Sequence, residues 1–342
     1  MANGAGERRV PAIRTGDFTV EQAVGVLCTR VRVEEKGIIA ALAAAGIPAI
    51  PFPPTDLRLA LTPDPWHPDA PRGTIPGPDG TSLPVILDRC PNRVVAATIL
   101  PIWRALGVPM LDAGLAATGT RASVASALGA AHLPRRVTRL VFGEEAALAA
   151  ARELGIPVTL LPMTPGDRAV PLWDDDTAEA VLEHRAILGS THEGVALLQA
   201  GTPAGAERTT VLVLDGTAVA ASGGPGLGYE VRHLATAVAL ALGATIAGVE
   251  IVMGPHGPVV WDVQPVPELR AMTPFESGIS DLGGLVAARL SARWPGLSGV
   301  VTSAGVSGAQ DQSVVPIGVT AIGLSGGLEL AEGIADGIPL AV

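Results

Sequence analysis

Lysine is nearly missing from this chain: of 23 basic residues only Lys36 is a lysine, and the other 22 are arginine. A mechanism that needs two lysines is therefore excluded. Cysteine is as scarce. Cys28 and Cys90 alone exclude a disulfide scaffold and a multi-cysteine metal cluster. The six histidines show no paired metal-ligand spacing. Positive charge falls short of negative, with 23 basic against 33 acidic residues and a net charge of −10. The excess of cations that would neutralise nucleic-acid phosphates or an anionic membrane is absent. Long apolar runs are lacking too. The longest uncharged apolar stretch, Leu234–Val249, is rich in alanine, glycine and threonine, and reads as a buried helix running into a strand rather than a membrane span. Met1–Thr19 carries Glu7, Asp17 and three arginines without a long apolar core, which is not the pattern of a signal peptide. The expected location is cytoplasmic.

What is present is enough for an ordered core. At 342 residues, 48% of them hydrophobic, the chain has room for two or three domains and is not of disordered composition. Short apolar runs alternate with helical periodicity. Ala23–Thr29 reads as a buried strand, Glu34–Ala45 as a helix stopped at Gly46, Ile47–Phe52 and Val85–Asp88 as strands, and Asn92–Leu106 as a helix kinked or broken at Pro101. Between them, residues 62–84 are so dense in proline and glycine that they read as an exposed insertion without regular elements. The alternation resumes with strands at Val108–Leu111, Val137–Phe142 and Pro157–Leu161. Helices follow each, at Thr120–Ala131, Glu144–Leu154 and Thr177–Leu188. This is an α/β pattern. In the C-terminal half, Asp215-Gly216 between Thr209–Leu214 and Thr217–Ala221 marks a hairpin. A helix at Tyr229–Leu242, a second hairpin around Gly254-Pro255-His256-Gly257 and a helix at Asp281–Arg293 complete the set. Residues 1–22 and the Gly-rich residues 296–342 read as tails.

The second hairpin carries the chemistry. Folded symmetrically about His256, it sets Glu250 opposite Asp262, and Gln264 joins Asp262 on the same sheet face. On an exposed face the two acids would simply be solvated. Here they sit among Ile251, Val252, Val259, Val260, Trp261 and Val263, where a carboxylate needs a partner. Two carboxylates and an amide oxygen converging suit Mg²⁺ or Mn²⁺ bound together with substrate phosphates.

At these residues the chain resembles the ATP-grasp superfamily, and within it the RimK-like, LysX-type ligases. Four pieces carry the resemblance, which covers about residues 24–293. They are Arg32-Val33-Glu34-Glu35-Lys36; Leu87-Asp88-Arg89-Cys90 with Arg93; Ala178–His184 running through Leu188-Gly189-Ser190; and Val260-Trp261-Asp262-Val263-Gln264 running to Glu268-Leu269-Arg270. The resemblance implies an α/β fold that becomes α+β in the C-terminal half. Its expected parts are a Rossmann-like pre-ATP-grasp domain over 23–112, an ATP-grasp small subdomain over 113–190 and a large subdomain over 191–295. It implies ATP and Mg²⁺ (or Mn²⁺) as cofactors. The implied reaction passes the ATP γ-phosphate to a carboxylate, and an amine then attacks the acylphosphate to give an amide. It implies an amino-dicarboxylate substrate, an acidic LysW-like carrier protein as partner, lysine-type amino-acid biosynthesis, and a homo-oligomer or a hetero-oligomer with an active paralogue.

Residue by residue, the resemblance maps the metal set onto Glu250, Asp262 and Gln264, where the family pattern has Asp, Glu and Asn. It maps nucleotide contacts onto Arg121, Leu161, Gln199 and Asp262, and catalytic arginines onto Arg208 and Arg270. Several positions depart from the pattern. Arginine stands for lysine at 121, a larger and planar cation. Leu161 replaces a second lysine, Ala200 replaces an acid, and Met163–Leu172 is too short for the family's phosphate loop. The family's hairpin arginine falls at Thr209, one place from Arg208, and such an offset turns a strand side chain to the other face. Arg168, Arg208 and Arg232 are candidate substitute cations. Two function classes follow: an ATP-dependent carboxylate–amine ligase, or a catalytically inactive paralogue that serves as a binding or regulatory subunit.

Other signals are weaker. Gly223–Gly228 reads as a flexible connection more than a phosphate cradle. The Gly-x-Ser-x-Gly match at Ser325 has no histidine after it, as a hydrolase triad would need. Arg89 beside Cys90 would lower a thiol pKa, although a small apolar filler is the plainer role. Arg135, Arg136 and Arg139 form either a solvated surface or a dock for an acidic carrier.

Overall fold

The structure is a computed structural model that describes residues 23–57, 75–76, 82–83, 85–105, 108–111, 119–163, 169–188, 194–201, 208–222, 228–279 and 281–293. Three sheets organise the described residues, apart from a two-stranded ribbon. The expected tails, Arg168, Ser325, and the loop at 223–227 lie outside the described residues.

The first sheet is parallel. β1 (Val24–Leu27) is its middle strand, between β2 (Ala49–Phe52) and a strand at Val85–Asp88. Every residue of β1 and of Val85–Asp88 is buried, which is why both read as unbroken apolar runs. Gly25 is required by packing: a Cβ there would come within 2.6 Å of Ile86 Cδ1. Helix α1 (Val33–Ala44) follows β1, and α2 (Arg93–Ala105) follows the Val85–Asp88 strand and runs through Pro101 without a break. At the start of α1 the Glu35 carboxylate accepts from the Arg32 backbone N–H at 3.1 Å and binds the Arg32 guanidinium at 2.8 and 2.9 Å. Arg89 Nε reaches the same carboxylate at 3.2 Å, fully buried, and so ties α1 to the end of the neighbouring strand. Two expectations are corrected here. Residues 62–84 are not free of regular structure, because β3 (Ile75–Pro76) pairs with β4 (Ser82–Leu83), and Leu83 is buried in the core. The Val85–Asp88 strand is therefore β5. The expected strand at Val108–Leu111 is reduced to one parallel bridge, between Met110 and Ile86.

The second sheet is antiparallel in the order β6-β9-β7-β8, with β6 at Thr138–Phe142, β7 at Val158–Leu161, β8 at Val170–Leu172 and β9 at Val195–Ala200. Helix α4 (Glu144–Leu154) buries Ala147, Ala150 and Ala151, and α5 (Asp175–Leu188) buries Ala178 and Leu182, in the core of this sheet. β9 lies beyond residue 190, the expected end of the small subdomain, yet it pairs at the centre of this sheet.

The third sheet has the order β13-β12-β10-β11-β14, from β10 (Arg208–Leu214), β11 (Thr217–Ser222), β12 (Ile246–Gly254), β13 (Gly257–Gln264) and β14 (Thr273–Pro274). β10 is apolar on both faces for a physical reason. Val211 and Val213 pack against α3 (Arg121–Ala130) and α6 (Tyr229–Ala241), while Leu212 and Leu214 join the core of β1, α1 and α7 (Leu282–Arg293). The Asp215-Gly216 turn has positive φ at both residues, +49° and +71°, as a type I′ turn requires. No helix among the described residues is long and apolar enough to cross a membrane.

Candidate functional site

The second hairpin pairs Glu250 with Asp262, as symmetry about His256 implies, but by a different route. The turn is centred between Pro255 and His256, with Gly254 opposite Gly257 and Ile251 opposite Val260. Left regular, that register would set Glu250 against Trp261. A β-bulge at Trp261 absorbs the extra residue and brings Asp262 opposite Glu250. The pairing extends across the sheet, because Glu250 also faces Thr210 on β10, and Thr210 faces Ser222 on β11. Ser222, Thr210, Glu250 and Asp262 thus form a polar row over four strands, and all four line one cavity of about 520 Å³. The sequence reading found the two acids but not Thr210 or Ser222, whose relevance depends on strand order.

Four arginines face the same cavity: Arg32, Arg93, Arg121 and Arg208. Arg32 follows β1 and Arg93 follows β5, at the carboxyl ends of parallel strands where ligand sites of open α/β sheets form. That position was the available signal, since both residues lie in the motifs that carry the resemblance. Arg93 is buried and donates through Nη1 to Asp88 Oδ2 at 2.6 Å and to the Cys90 carbonyl at 3.1 Å. Arg208, one of the two candidate catalytic arginines, does face this cavity. The one-residue offset does not turn it away, because β10 places it two residues from Thr210, on the face of Glu250. Its Nη1 lies 3.5 Å from Glu250 Oε2.

Arg121 begins α3, whose N-cap Thr120 accepts from the Ser123 N–H at 3.1 Å. Its Nε and Nη2 both donate to Asp262 Oδ2, at 2.9 and 2.7 Å, and its Nη1 donates to the Pro162 carbonyl at 2.9 Å. Asp262 Oδ1 accepts from the Val263 N–H at 2.9 Å. The Gln264 side-chain amide donates to Glu250 Oε1. As donors, two carboxylates and an amide form an all-oxygen set of the kind Mg²⁺ takes, and they border an open cavity, so the residues fit a divalent cation. Among the described residues no three of His, Cys, Asp and Glu come together as a metal-holding group, and the set here has two carboxylates with an amide.

Leu161 and Gln199 meet Arg121, Trp261 and Asp262 around a smaller cavity of about 30 Å³, so the expected nucleotide contacts do share one place. Trp261 is buried at this cavity, its ring 5.1 Å from the Arg136 guanidinium and 5.9 Å from that of Arg208. Arg136 Nη1 donates to the Ala200 carbonyl at 3.2 Å. Gln199 Nε2 donates to the Trp261 carbonyl at 3.1 Å, and its Oε1 has no partner among the described residues. Arg136 is therefore turned into the molecule, which breaks up the expected basic cluster with Arg135 and Arg139.

Arg270 is not brought to the site. It is largely exposed and its Nε lies 3.3 Å from Glu34 Oε1, bordering a separate cavity of about 270 Å³. Arg232 stacks 4.4 Å above the Phe275 ring and is not among the residues lining the large cavity. The cysteines do not act as activated thiols. Burial pushes the Cys28 thiol up to about 11, and burial with nearby Asp88 raises Cys90, while Arg89 is committed to Glu35.

Burial, and then the neighbouring Asp262 carboxylate, raise the Glu250 pKa above its ordinary value of 4.5. Because the folded state holds this proton more tightly than the unfolded state, stability falls as pH rises from about 4.5 through the raised value. Glu250→Gln removes that penalty. It is expected to raise the melting midpoint at pH 7 by about 1–3 °C, a gain that shrinks towards pH 4 in parallel scans.

No protein-family model matches the chain. Among solved structures, the RimK domain ATP-grasp protein of Sphaerobacter thermophilus aligns with a TM-score of 0.63 and 29% identity, over 78% of this chain and 99% of that one. The ATP-grasp ligase PsnB, in complex with a minimal precursor, aligns at 0.58 and 16% identity over 80% of this chain and all of that one. The D-cycloserine synthetase DcsG aligns at 0.58 and 17% identity, over 79% and 99%. PsnB is also seen with Mg and ADP. The last two proteins speak for the fold alone.

Proposed function

We propose that this chain, an ATP-grasp protein of the RimK-like kind, is a carboxylate–amine ligase whose carboxylate substrate occupies the arginine-lined cavity. The observation that carries this reading is the convergence of Arg32, Arg93, Arg121 and Arg208 on one cavity beside Glu250 and Asp262. In such a ligase the substrate carboxylate takes the ATP γ-phosphate, and the amine displaces phosphate from the acylphosphate. The protein's contribution is charge neutralisation and positioning. Arg208 and Arg121 supply fixed cations to the phosphate oxygens, in place of the missing lysines. Each such donor is worth about 2–4 kcal/mol at the transition state. Glu250, Asp262 and Gln264 would hold Mg²⁺, which when bound neutralises phosphate charge. Glu268, on the same cavity, offers an anion to a substrate ammonium group, which supports an amino-dicarboxylate substrate. The acceptor amine belongs to a carrier protein or peptide, in our reading a LysW-like acidic carrier in lysine-type biosynthesis.

The test is trapping. With ATP, Mg²⁺ and glutamate or α-aminoadipate, hydroxylamine should convert the acylphosphate to a hydroxamate in step with ADP release. No hydroxamate and no ADP with any dicarboxylate would refute ligase activity.

A second reading, a silent paralogue that binds an anionic ligand, is favoured by one specific observation. The cavity lined by Leu161, Gln199 and Trp261 is about 30 Å³, too little for a nucleobase without rearrangement. Dicarboxylate binding without any ADP release would select that reading.

A further inference from the structure

The carboxylate oxygens of the metal set are already engaged by the chain's own donors. Asp262 Oδ2 takes two guanidinium hydrogens of Arg121 at 2.9 and 2.7 Å, and its Oδ1 takes the Val263 N–H at 2.9 Å. Glu250 Oε1 takes the Gln264 amide, and Oε2 faces Arg208 at 3.5 Å. Two carboxylates meet two guanidinium groups, so their formal charges cancel. The Arg121–Asp262 pair is mostly buried, with the side chains 7% and 15% exposed, so water screens it little.

We propose that Arg121 is an internal counter-cation that holds Asp262 closed to divalent metal until a phosphate group arrives, so that metal enters only together with the nucleotide. The proposal rests on the reading of Glu250, Asp262 and Gln264 as a metal set. A bare divalent cation approaching Asp262 meets a guanidinium at hydrogen-bond distance from the same oxygen. It must break a forked, charge-assisted contact and overcome like-charge repulsion. A phosphate changes the balance, because its oxygens offer the guanidinium a forked acceptor of equal quality. Arg121 lines the large cavity as well as the small one, and its Nη1 is anchored on the Pro162 carbonyl. The guanidinium can therefore exchange Asp262 for a phosphate without leaving the site, and the exchange frees Oδ2 for the cation. Arginine suits this role better than lysine would, since a single ammonium cannot fork onto one carboxylate oxygen while holding a backbone carbonyl in the same plane.

The test uses Mn²⁺ alone, without nucleotide, titrated calorimetrically into the full-length chain and followed in parallel by the paramagnetic resonance of free Mn²⁺. Wild type is expected to bind in the millimolar range or not at all. Arg121→Gln should bind at least tenfold more tightly, and Arg121→Gln/Asp262→Asn should lose that gain. Arg121→Lys, which keeps the charge without the fork, serves as a second variant should Arg121→Gln fold poorly, and should fall between the two. Wild type binding Mn²⁺ as tightly as Arg121→Gln, with both losing it in Asp262→Asn, would overturn the proposal and leave the metal set standing. Absence of Mn²⁺ binding by every folded variant would overturn both.

Discussion

Replacing Asp262 with alanine is expected to cost about 3–5 kcal/mol of stability, the usual loss when one member of a buried ion pair is removed. The surviving partner sets the size of the effect. Arg121 is 7% exposed and would keep only the Pro162 carbonyl among the three hydrogen bonds given above. The contact also spans the fold, linking the first turn of α3 to the last residues of β13, so its loss loosens the packing of α3 on the third sheet. Asp262→Asn keeps an acceptor oxygen in place and should lose only about 1–2 kcal/mol. Urea denaturation of both variants checks this. A loss below about 1 kcal/mol for alanine would mean that the pair is not the clamp described here.

Trp261→Ala should cost a similar amount, about 3–5 kcal/mol, by leaving a cavity where a large ring is 5% exposed. Part of that loss is not packing. The Arg136 and Arg208 guanidinium groups both approach the ring, and each contact is worth about 0.5–1 kcal/mol. The bulge that places Trp261 also places Asp262, so the side chain and the site share one irregularity of the backbone. Trp261→Phe, which keeps a ring, should lose about 1 kcal/mol. The same alanine variant should widen the small cavity beside Gln199 and tighten nucleotide binding if ring bulk is what closes it. Thermal melts read the first effect, and titration with ADP reads the second.

These particulars show what local pattern could reveal. The alternation of apolar runs located the seven helices of the described residues and most of the longer strands, because each buries a face whose period is written in its own residues, but it missed β8, β14 and β9, an inner strand of the second sheet. Asp215-Gly216 announced its hairpin for the same local reason. The pairing of Glu250 with Asp262 was legible, but the bulge that produces it was not. A bulge is decided by how the hairpin packs, and Trp261 carries no local mark of it. Strand order was equally hidden, so Thr210 and Ser222 could not be joined to the acids. Arg208 was rightly singled out as a candidate, but the face it takes was not legible, because a one-residue offset against a remote pattern says nothing firm about a strand that begins there. Arg270 was misplaced by the converse error, since it follows a matching motif but sits in a 3-10 turn that points it to Glu34. The hold of Arg121 on Asp262, 141 positions away, depends on how a helix docks on a sheet.

A ligase of this kind binds a nucleotide and its metal at Asp262, beside the carboxylate site. Calorimetric titration of ATP into the full-length chain, with and without Mg²⁺, on wild type and Asp262→Asn, tests it most directly. The account predicts micromolar binding by wild type that requires Mg²⁺ and is lost in Asp262→Asn. Absence of any binding by the folded wild type under both conditions would contradict it.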